Sequence, residues 1–171
     1  MPKDDPRLKA YGALDELQSF LGLVRSMTGQ ESVKSIIYTV QKNIFIASAE
    51  LASTREKLSR LKRRIGKEDI QQIESWIDAQ SAAYGIPDHF IIPGNTPDSA
   101  AMHVARTVCR RCERLIVFLN RSTGDYEELI VFFNRLSDLL FSLAWSLELI
   151  ATIEGIVRDV LREKMTPEKS T

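Results

Sequence analysis

The chain has 171 residues, a length that suits one domain with a substantial core, and 23 basic side chains balance 23 acidic ones. A formal net charge of zero gives no global field that would attract nucleic acid or an anionic membrane, so we expect neither as a partner. The first residues lack the apolar stretch of a signal peptide. We therefore expect a cytoplasmic protein with a single domain over residues 1–171 and a polar tail from about residue 166.

Apolar residues recur with a period of 3.6 over most of the sequence, and no alternating strand pattern is present, so the predicted elements are helices. The first helix spans residues 8–27, and the second runs from Ser32, as N-cap, to about Ser53. The basic segment 54–67 follows, either as an anion contact or as a mobile, solvated connector. A third helix spans residues 68–84 and is stopped by Gly85 and Pro87, and the chain breaks again at Thr123, Gly124 and Asp125 before the fifth helix.

A fourth helix begins with Thr96 as N-cap and Pro97 at its first helical position, and its side chains separate into two unlike faces. The apolar face contains Ala101, Val104, Ala105, Val108, Cys112 and Leu115. The polar face, called here the arginine face, contains Ser99, His103, Arg106, Arg110 and Glu113. Guanidiniums one turn apart suit phosphate or carboxylate oxygens. A solvated face with ion pairs three and four residues apart would give the same pattern.

The two cysteines, Cys109 and Cys112, fit a C-x-x-C pattern but lie in the middle of this helix. There is no second cysteine pair for a zinc site, and mid-helix thiols lack the activating position of a redox pair. We expect both to pack as small buried apolar groups. Neither His89 nor His103 follows a glutamate by three residues, as a di-iron bundle requires, so we expect no metal held by protein ligands.

The last part of the chain predicts a fifth helix over residues 127–150 and a final amphipathic helix over residues 152–164. The fifth helix is apolar almost all round and should lie centrally. Asn134, Arg135 and Glu148 interrupt it at depths that would be costly in lipid, which favours a buried helix over a membrane span. The predicted fold is an all-α, up-and-down bundle of about five main helices, ferritin-like in appearance.

Three separated blocks also carry a resemblance to a known family. They read PKDDP (2–6) leading to YGALDEL (11–17), then FIIPG (90–94) with SAAMHVARTVCRRCER (99–114), then FNRLSD (133–138). In order and spacing these blocks closely resemble the PduO-type ATP:cob(I)alamin adenosyltransferases, from residue 2 to about residue 150.

The resemblance implies a homotrimer of five-helix bundles with an active site at each subunit interface. The implied reaction transfers the 5′-deoxyadenosyl group of ATP, taken with Mg²⁺, to the cobalt of cob(I)alamin and releases triphosphate. The corrinoid supplies the nucleophile, so the protein positions ATP and neutralises the departing triphosphate. A flavin reductase that supplies the electron and a B12-dependent enzyme that uses the product are the further implied partners.

Site residues also follow from the resemblance. The ATP-binding positions of the family match Lys3, Arg110, Arg111, Glu113, Arg114 and Asn134. Among them, Arg110 matches the main clamp on the triphosphate. Asp15 and Arg106 match a pair that joins two subunits and orders the site. Phe90 matches an aromatic residue that covers the lower face of the corrin and favours four-coordinate cobalt(II), which is easier to reduce.

Several of these residues have simpler interpretations from the sequence alone. Asp15 fits an ordinary exposed carboxylate, and Phe90 fits a core aromatic. Arg135 and Asp138 fit a structural ion pair three residues apart. His103 is either a group that supports the arginines or a plain part of the helix face.

One feature of the family lies upstream of the first block. Family members carry there a Thr- and Gly-rich segment whose backbone amides wrap the triphosphate. The printed sequence begins directly before that block. An alternative function is therefore a non-catalytic trimer that binds and delivers cobalamin.

Overall fold

The computed structural model describes residues 5–165, which form helices and no strand. The helices are α1 (Pro6–Met27), α2 (Glu31–Ala52), α3 (Arg55–Leu58), α4 (Lys67–Tyr84), α5 (Pro97–Thr123) and α6 (Glu127–Met165). The all-α prediction is confirmed. The four-residue α3 is an addition to the predicted elements.

The ends of α4 and α5 follow the predicted capping chemistry. Thr96 begins α5, since its hydroxyl accepts a hydrogen bond from the Ser99 amide at 3.3 Å. Gly85 and Gly124 end α4 and α5 with φ angles of 70° and 68°, in the region that glycine adopts without steric cost.

The predicted N-cap of α2 is wrong. Gln30 occupies the cap position, and Ser32 lies inside the first turn of the helix. The Thr28 hydroxyl accepts a hydrogen bond from the Gln30 amide at 3.2 Å, which fixes the turn between α1 and α2 and starts the helix early.

The predicted break between the fifth helix and the last one is also wrong, because α6 runs without interruption for 39 residues. Neither proline nor a glycine of positive φ occurs near residue 151 to stop it. The Thr152 hydroxyl donates to the Glu148 carbonyl at 2.9 Å, so this side chain is satisfied within a continuing helix.

The bundle is built around the first half of α6. Helix α6 packs against α4 and α5, and α1 packs against α5 and α2. Phe132, Phe133 and Leu136 are fully buried, which confirms the predicted central position of this half. The same apolar run makes α6 long and apolar enough to span a membrane by length and composition alone, and core helices commonly share this property.

The second half of α6 carries the apolar stripe of the predicted amphipathic helix. This stripe is between 46% and 59% exposed. The stripe consists of Ile153, Ile156, Val157, Val160 and Leu161. In the single chain, no other described element covers it.

The basic segment 54–67 is largely exposed, as predicted, but it is fastened to the bundle. Arg64 contacts the buried Glu50 carboxylate, with 2.9 Å between Nε and Oε2. The other Glu50 oxygen accepts from the Ile65 amide at 2.6 Å. Arg63 pairs with Asp69 at the start of α4. These contacts replace the mobile connector of the sequence prediction with a secured one.

Candidate active site

Arg106 and Arg110 border a cavity of about 410 Å³, called here the arginine cavity, enclosed by α4, α5 and α6. It is lined by Ile77, Ser81, Gly85, Ile86, Pro87, Arg106, Arg110, Ser137, Asp138, Phe141, Ser142 and Trp145. The cavity therefore has two cationic side chains from α5, and its lining from α4 and α6 combines three apolar side chains with three serines and Asp138. This combination suits a ligand with an anionic part and a large apolar part.

The two guanidiniums carry unneutralised charge. Arg106 is half-buried, and both its burial and the neighbouring Arg110 lower the pKa of its guanidinium. Arginine nevertheless stays protonated in proteins. In the described part of the chain, neither side chain forms an ion pair with an acidic residue. The solvated ladder of ion pairs that the sequence left open is not formed here, and an anion would relieve the repulsion.

A shallower depression adjoins the arginine cavity at Arg110, which borders both. The depression is lined by Arg110, Glu113, Arg114, Val117, Phe118 and Arg121. The Glu113 carboxylate does not pair with these arginines, because its Oε1 atom accepts a hydrogen bond from the Asn134 amide at 3.1 Å. Four of the predicted ATP-site residues, from α5 and α6, are thus neighbours in the fold.

One further predicted ATP-site residue, Arg111, is not brought to this cluster. Arg111 extends towards α1, where its guanidinium pairs with Glu16, and both side chains are 44% exposed. Lys3 lies outside the described residues.

Asp15 and Arg106 do not touch within the chain. Asp15 is exposed on α1, beside a depression that also includes Tyr11, Gln18 and Phe45. In the described residues its carboxylate has no cationic partner. The pair predicted from the resemblance is therefore not formed within the described chain.

Phe90 lies on the loop between α4 and α5 and is completely exposed, at 101%. The interpretation of Phe90 as a core aromatic is wrong. The same loop enters the wall of the arginine cavity through Gly85, Ile86 and Pro87.

The arginine face itself is divided by burial. Ser99 and His103 are only 0% and 4% exposed, because the first turns of α5 face α6 rather than solvent. They meet Glu148, a buried carboxylate of α6 whose position within an apolar run argued against a membrane span. The Ser99 hydroxyl donates to its Oε1 atom at 3.1 Å. An ionisable residue within an apolar run was the signal for this contact, because such a residue needs a partner.

His103 connects this carboxylate to the arginines. Its Nδ1 atom accepts from Arg106 Nε at 3.4 Å, and its Nε2 atom lies 3.9 Å from Glu148 Oε1. Burial and the positive charge of Arg106 lower the pKa of His103, while Glu148 opposes the shift. The lowered pKa favours the neutral imidazole, in which Nδ1 accepts from Arg106 and Nε2 carries the proton. His103 thus supports an arginine, as one of its two interpretations proposed.

The two cysteines are confirmed as buried, free thiols. Cys109 contacts the Phe133 carbonyl at 3.4 Å, and burial raises the pKa of this thiol well above its ordinary value. Burial also raises the pKa of Cys112 to about 12. Over residues 5–165 no group of three or more His, Cys, Asp or Glu side chains could hold a metal ion.

Comparison with known proteins gives one consistent family. The model of the cobalamin adenosyltransferase family matches residues 1–147. A corrinoid adenosyltransferase of Citrobacter freundii is 46% identical over 142 residues, covering 83% of this chain and 81% of that protein. The corrinoid adenosyltransferase PduO of Salmonella typhimurium is 37% identical over 158 residues, covering 92% of this chain and 47% of that protein.

A solved structure shares the fold as well. It is a variant of the PduO-type ATP:corrinoid adenosyltransferase from Lactobacillus reuteri, complexed with cobalamin and ATP. The TM-score is 0.80 at 31% sequence identity, over 89% of this chain and 85% of that chain. This chain belongs to the cobalamin adenosyltransferase family.

Proposed function

We propose that this protein transfers the 5′-deoxyadenosyl group of ATP to the cobalt of cob(I)alamin and releases triphosphate. The observation that carries the proposal is the pair Arg106 and Arg110, which form no ion pair in the described residues and border a cavity that aromatic side chains also line. Family membership supports the same reaction.

The reaction is a displacement at a saturated carbon. The cobalt–carbon bond forms with the electron pair of cobalt, and the bond from C5′ to the triphosphate oxygen breaks. That electron pair leaves with the triphosphate, so negative charge increases on the leaving group. Arg110 and Arg114, beside the adjoining depression, supply planar donors for phosphate oxygens where this charge develops.

Magnesium is proposed to enter with the nucleotide. The described residues provide no cluster of metal ligands, and Mg²⁺ characteristically retains water and binds substrate phosphates rather than a protein cage. The protein would then contact the metal complex through its arginines and not through ligands of its own.

The apolar part of the cavity lining is proposed to receive the corrin. Phe141, Trp145 and Ile86 line the same cavity as the two arginines, and Phe90 is exposed on the adjacent loop. An exposed aromatic side chain beside an apolar cavity can cover a planar ligand without disturbing the core.

A homotrimer with active sites between subunits is part of the proposal. Asp15 has no cationic partner in the described chain and Arg106 has no acidic one, so a contact between subunits would neutralise both. Tyr11 and Phe45, which are 46% and 76% exposed beside Asp15, would be covered in the same interface. Lys3 is proposed to reach ATP there.

The remaining proposals concern the setting of the reaction. We place it in the cytoplasm and in a single domain. A flavin reductase would supply the electron for cobalt(II), and a B12-dependent enzyme would take the product.

The test is conversion of cobalamin under anaerobic conditions. The protein is mixed with ATP and chemically reduced cob(I)alamin, and the visible spectrum is followed; a mixture without ATP is the control. Formation of adenosylcobalamin only with ATP supports the proposal. Corrin binding without conversion would support the delivery function instead, and absence of both would contradict either function.

A further inference from the structure

Glu148 is a buried carboxylate whose two oxygens contact two different parts of the proposed site. Its side chain is 4% exposed, and its partners in the described residues include no arginine or lysine. A carboxylate in such surroundings carries a desolvation cost that a neutral or apolar side chain would avoid. A role beyond packing explains why this cost is tolerated.

One oxygen holds the loop that carries Phe90. Glu148 Oε2 accepts a hydrogen bond from the Asn95 amide at 3.1 Å. Among the described residues, no other hydrogen bond joins segment 86–95 of the loop to the helices. The loop also makes an edge-to-face contact between His89 and Trp145, with 6.1 Å between the ring centroids. Pro93 and Gly94, the latter with a φ of 130°, lie between Phe90 and Asn95 and define the turn.

The other oxygen holds the start of the arginine face. Glu148 Oε1 accepts a hydrogen bond from the Ser99 hydroxyl at 3.1 Å. His103 Nε2 lies 3.9 Å from the same oxygen, beyond hydrogen-bond distance, and has no hydrogen-bond partner among the described residues. The other nitrogen of His103 accepts from Arg106 Nε at 3.4 Å. A carboxylate accepts hydrogen bonds only, so donors from the loop and from α5 must converge on it in a fixed arrangement.

We propose that Glu148 is a positioning residue that holds the Phe90 loop, through Asn95, and the first turn of the arginine helix α5, through Ser99, in one register. The inference rests on the proposed function, because it assigns the corrin to the loop and the anion to the arginines. The carboxylate contacts neither substrate and acts only through these side chains.

The first experiment measures the tether without using activity. Chymotrypsin cuts after Phe90, and the rate of this native-state cleavage reports how often the loop opens. Loss of a hydrogen bond to a charged acceptor in Asn95→Ala or Glu148→Gln should raise the rate about tenfold. The double variant should be no faster than the faster single variant, because both remove the same contact.

Asn120→Ala is the matched control. Asn120 also fastens a loop, since its side-chain oxygen accepts from the Tyr126 amide at 2.8 Å, but at the turn between α5 and α6. This variant should leave cleavage after Phe90 unchanged. An equal increase in Asn120→Ala, or an unchanged rate in Asn95→Ala, would overturn the proposal. Asn95 lies on an exposed loop, so its variant keeps the test valid if Glu148→Gln does not fold.

The second experiment uses turnover from cob(II)alamin and its spectrum. Asn95→Ala should lower kcat about tenfold, keep KM for ATP within about twofold, and reduce the four-coordinate fraction of bound cob(II)alamin. A purely structural role would lower thermal stability and leave this fraction unchanged, which would overturn the positioning role. A wild-type protein without conversion would refute the proposed function, whereas the cleavage rates would still decide on the tether.

Discussion

Replacing Arg110 with alanine should separate activity from folding. The Arg110 side chain is exposed at the border of the arginine cavity and forms no ion pair within the described residues. The positive charge of Arg110 lowers the pKa of the neighbouring Arg106. Removing Arg110 therefore removes a repulsion and breaks no contact on which folding depends.

The two effects differ in size and in direction. Like charges one helical turn apart cost about 0.2–0.5 kcal/mol, so the variant should melt at the wild-type temperature or about 1 °C above it. Each charged hydrogen bond between a guanidinium and a phosphate oxygen stabilises the bound phosphate by about 1.5–3 kcal/mol, and removing the guanidinium removes that stabilisation. Since 1.36 kcal/mol corresponds to a factor of ten, Arg110→Ala should lower kcat/KM by about two to three orders of magnitude.

The assay is adenosylation from chemically reduced cob(I)alamin at varied ATP, beside a thermal melt of the free protein. Arg60→Ala is the control, since Arg60 is an exposed arginine in the segment 54–67, outside the arginine cavity. It should match the wild type in both measurements. Near wild-type turnover in Arg110→Ala would refute the clamp. A large fall in its melting temperature would refute the assignment of Arg110 as structurally dispensable.

Three further predictions concern the corrin, the interface and the thiols. Phe90→Ala should impair adenosylation from cob(II)alamin far more than from cob(I)alamin, and it should not lower thermal stability. The control Phe133→Ala, in the core, should lower the free energy of unfolding by about 3–5 kcal/mol. Equal stability losses in the two variants would contradict the exposed position of Phe90. Light scattering should give a mass about three times the 19.4 kDa of the chain, and a monomer at micromolar concentration would exclude interface sites. The double variant Asp15→Arg with Arg106→Asp should recover the activity that each single variant loses. Cys109 and Cys112 should resist a thiol reagent at about pH 8 in the folded protein, because burial keeps both thiols protonated, and they should react after denaturation. Fast labelling of the native protein would contradict their buried, protonated state.

The sequence predicted those parts of the fold that depend on local chemistry. The start of α5 depends on the cap that Thr96 forms with Pro97 at the first helical position. The ends of α4 and α5 depend on the positive φ angles of Gly85 and Gly124, which glycine adopts readily. The central position of α6 followed from its apolar surface, because a helix that is apolar almost all round has to be covered.

Features that depend on tertiary packing could not be predicted from the helical periodicity of the sequence. The arginine face contains Ser99 and Arg106 on one stripe, yet only the packing of α6 determines that Ser99 is buried and Arg106 half-exposed. Arg111 is adjacent to Arg110 in the sequence, but its pairing with Glu16 required the position of α1. The stripe at Ile153 has the same pattern as a core stripe, and its exposure in the single chain depends on which elements reach it.

The most costly features of this fold occur together, at the place where function is proposed. Two like charges one turn apart on α5 and a carboxylate buried without a cation on α6 both lower stability, and neither is needed to pack the helices. Neutral side chains at these three positions would give a better-packed bundle. Sequences depart from local consistency mainly where a site requires it, and here the departures are connected through His103. The unneutralised charge of Arg106 and the buried charge of Glu148 therefore belong to one arrangement, in which the bundle gives up stability to hold a cationic surface and a loop in fixed positions.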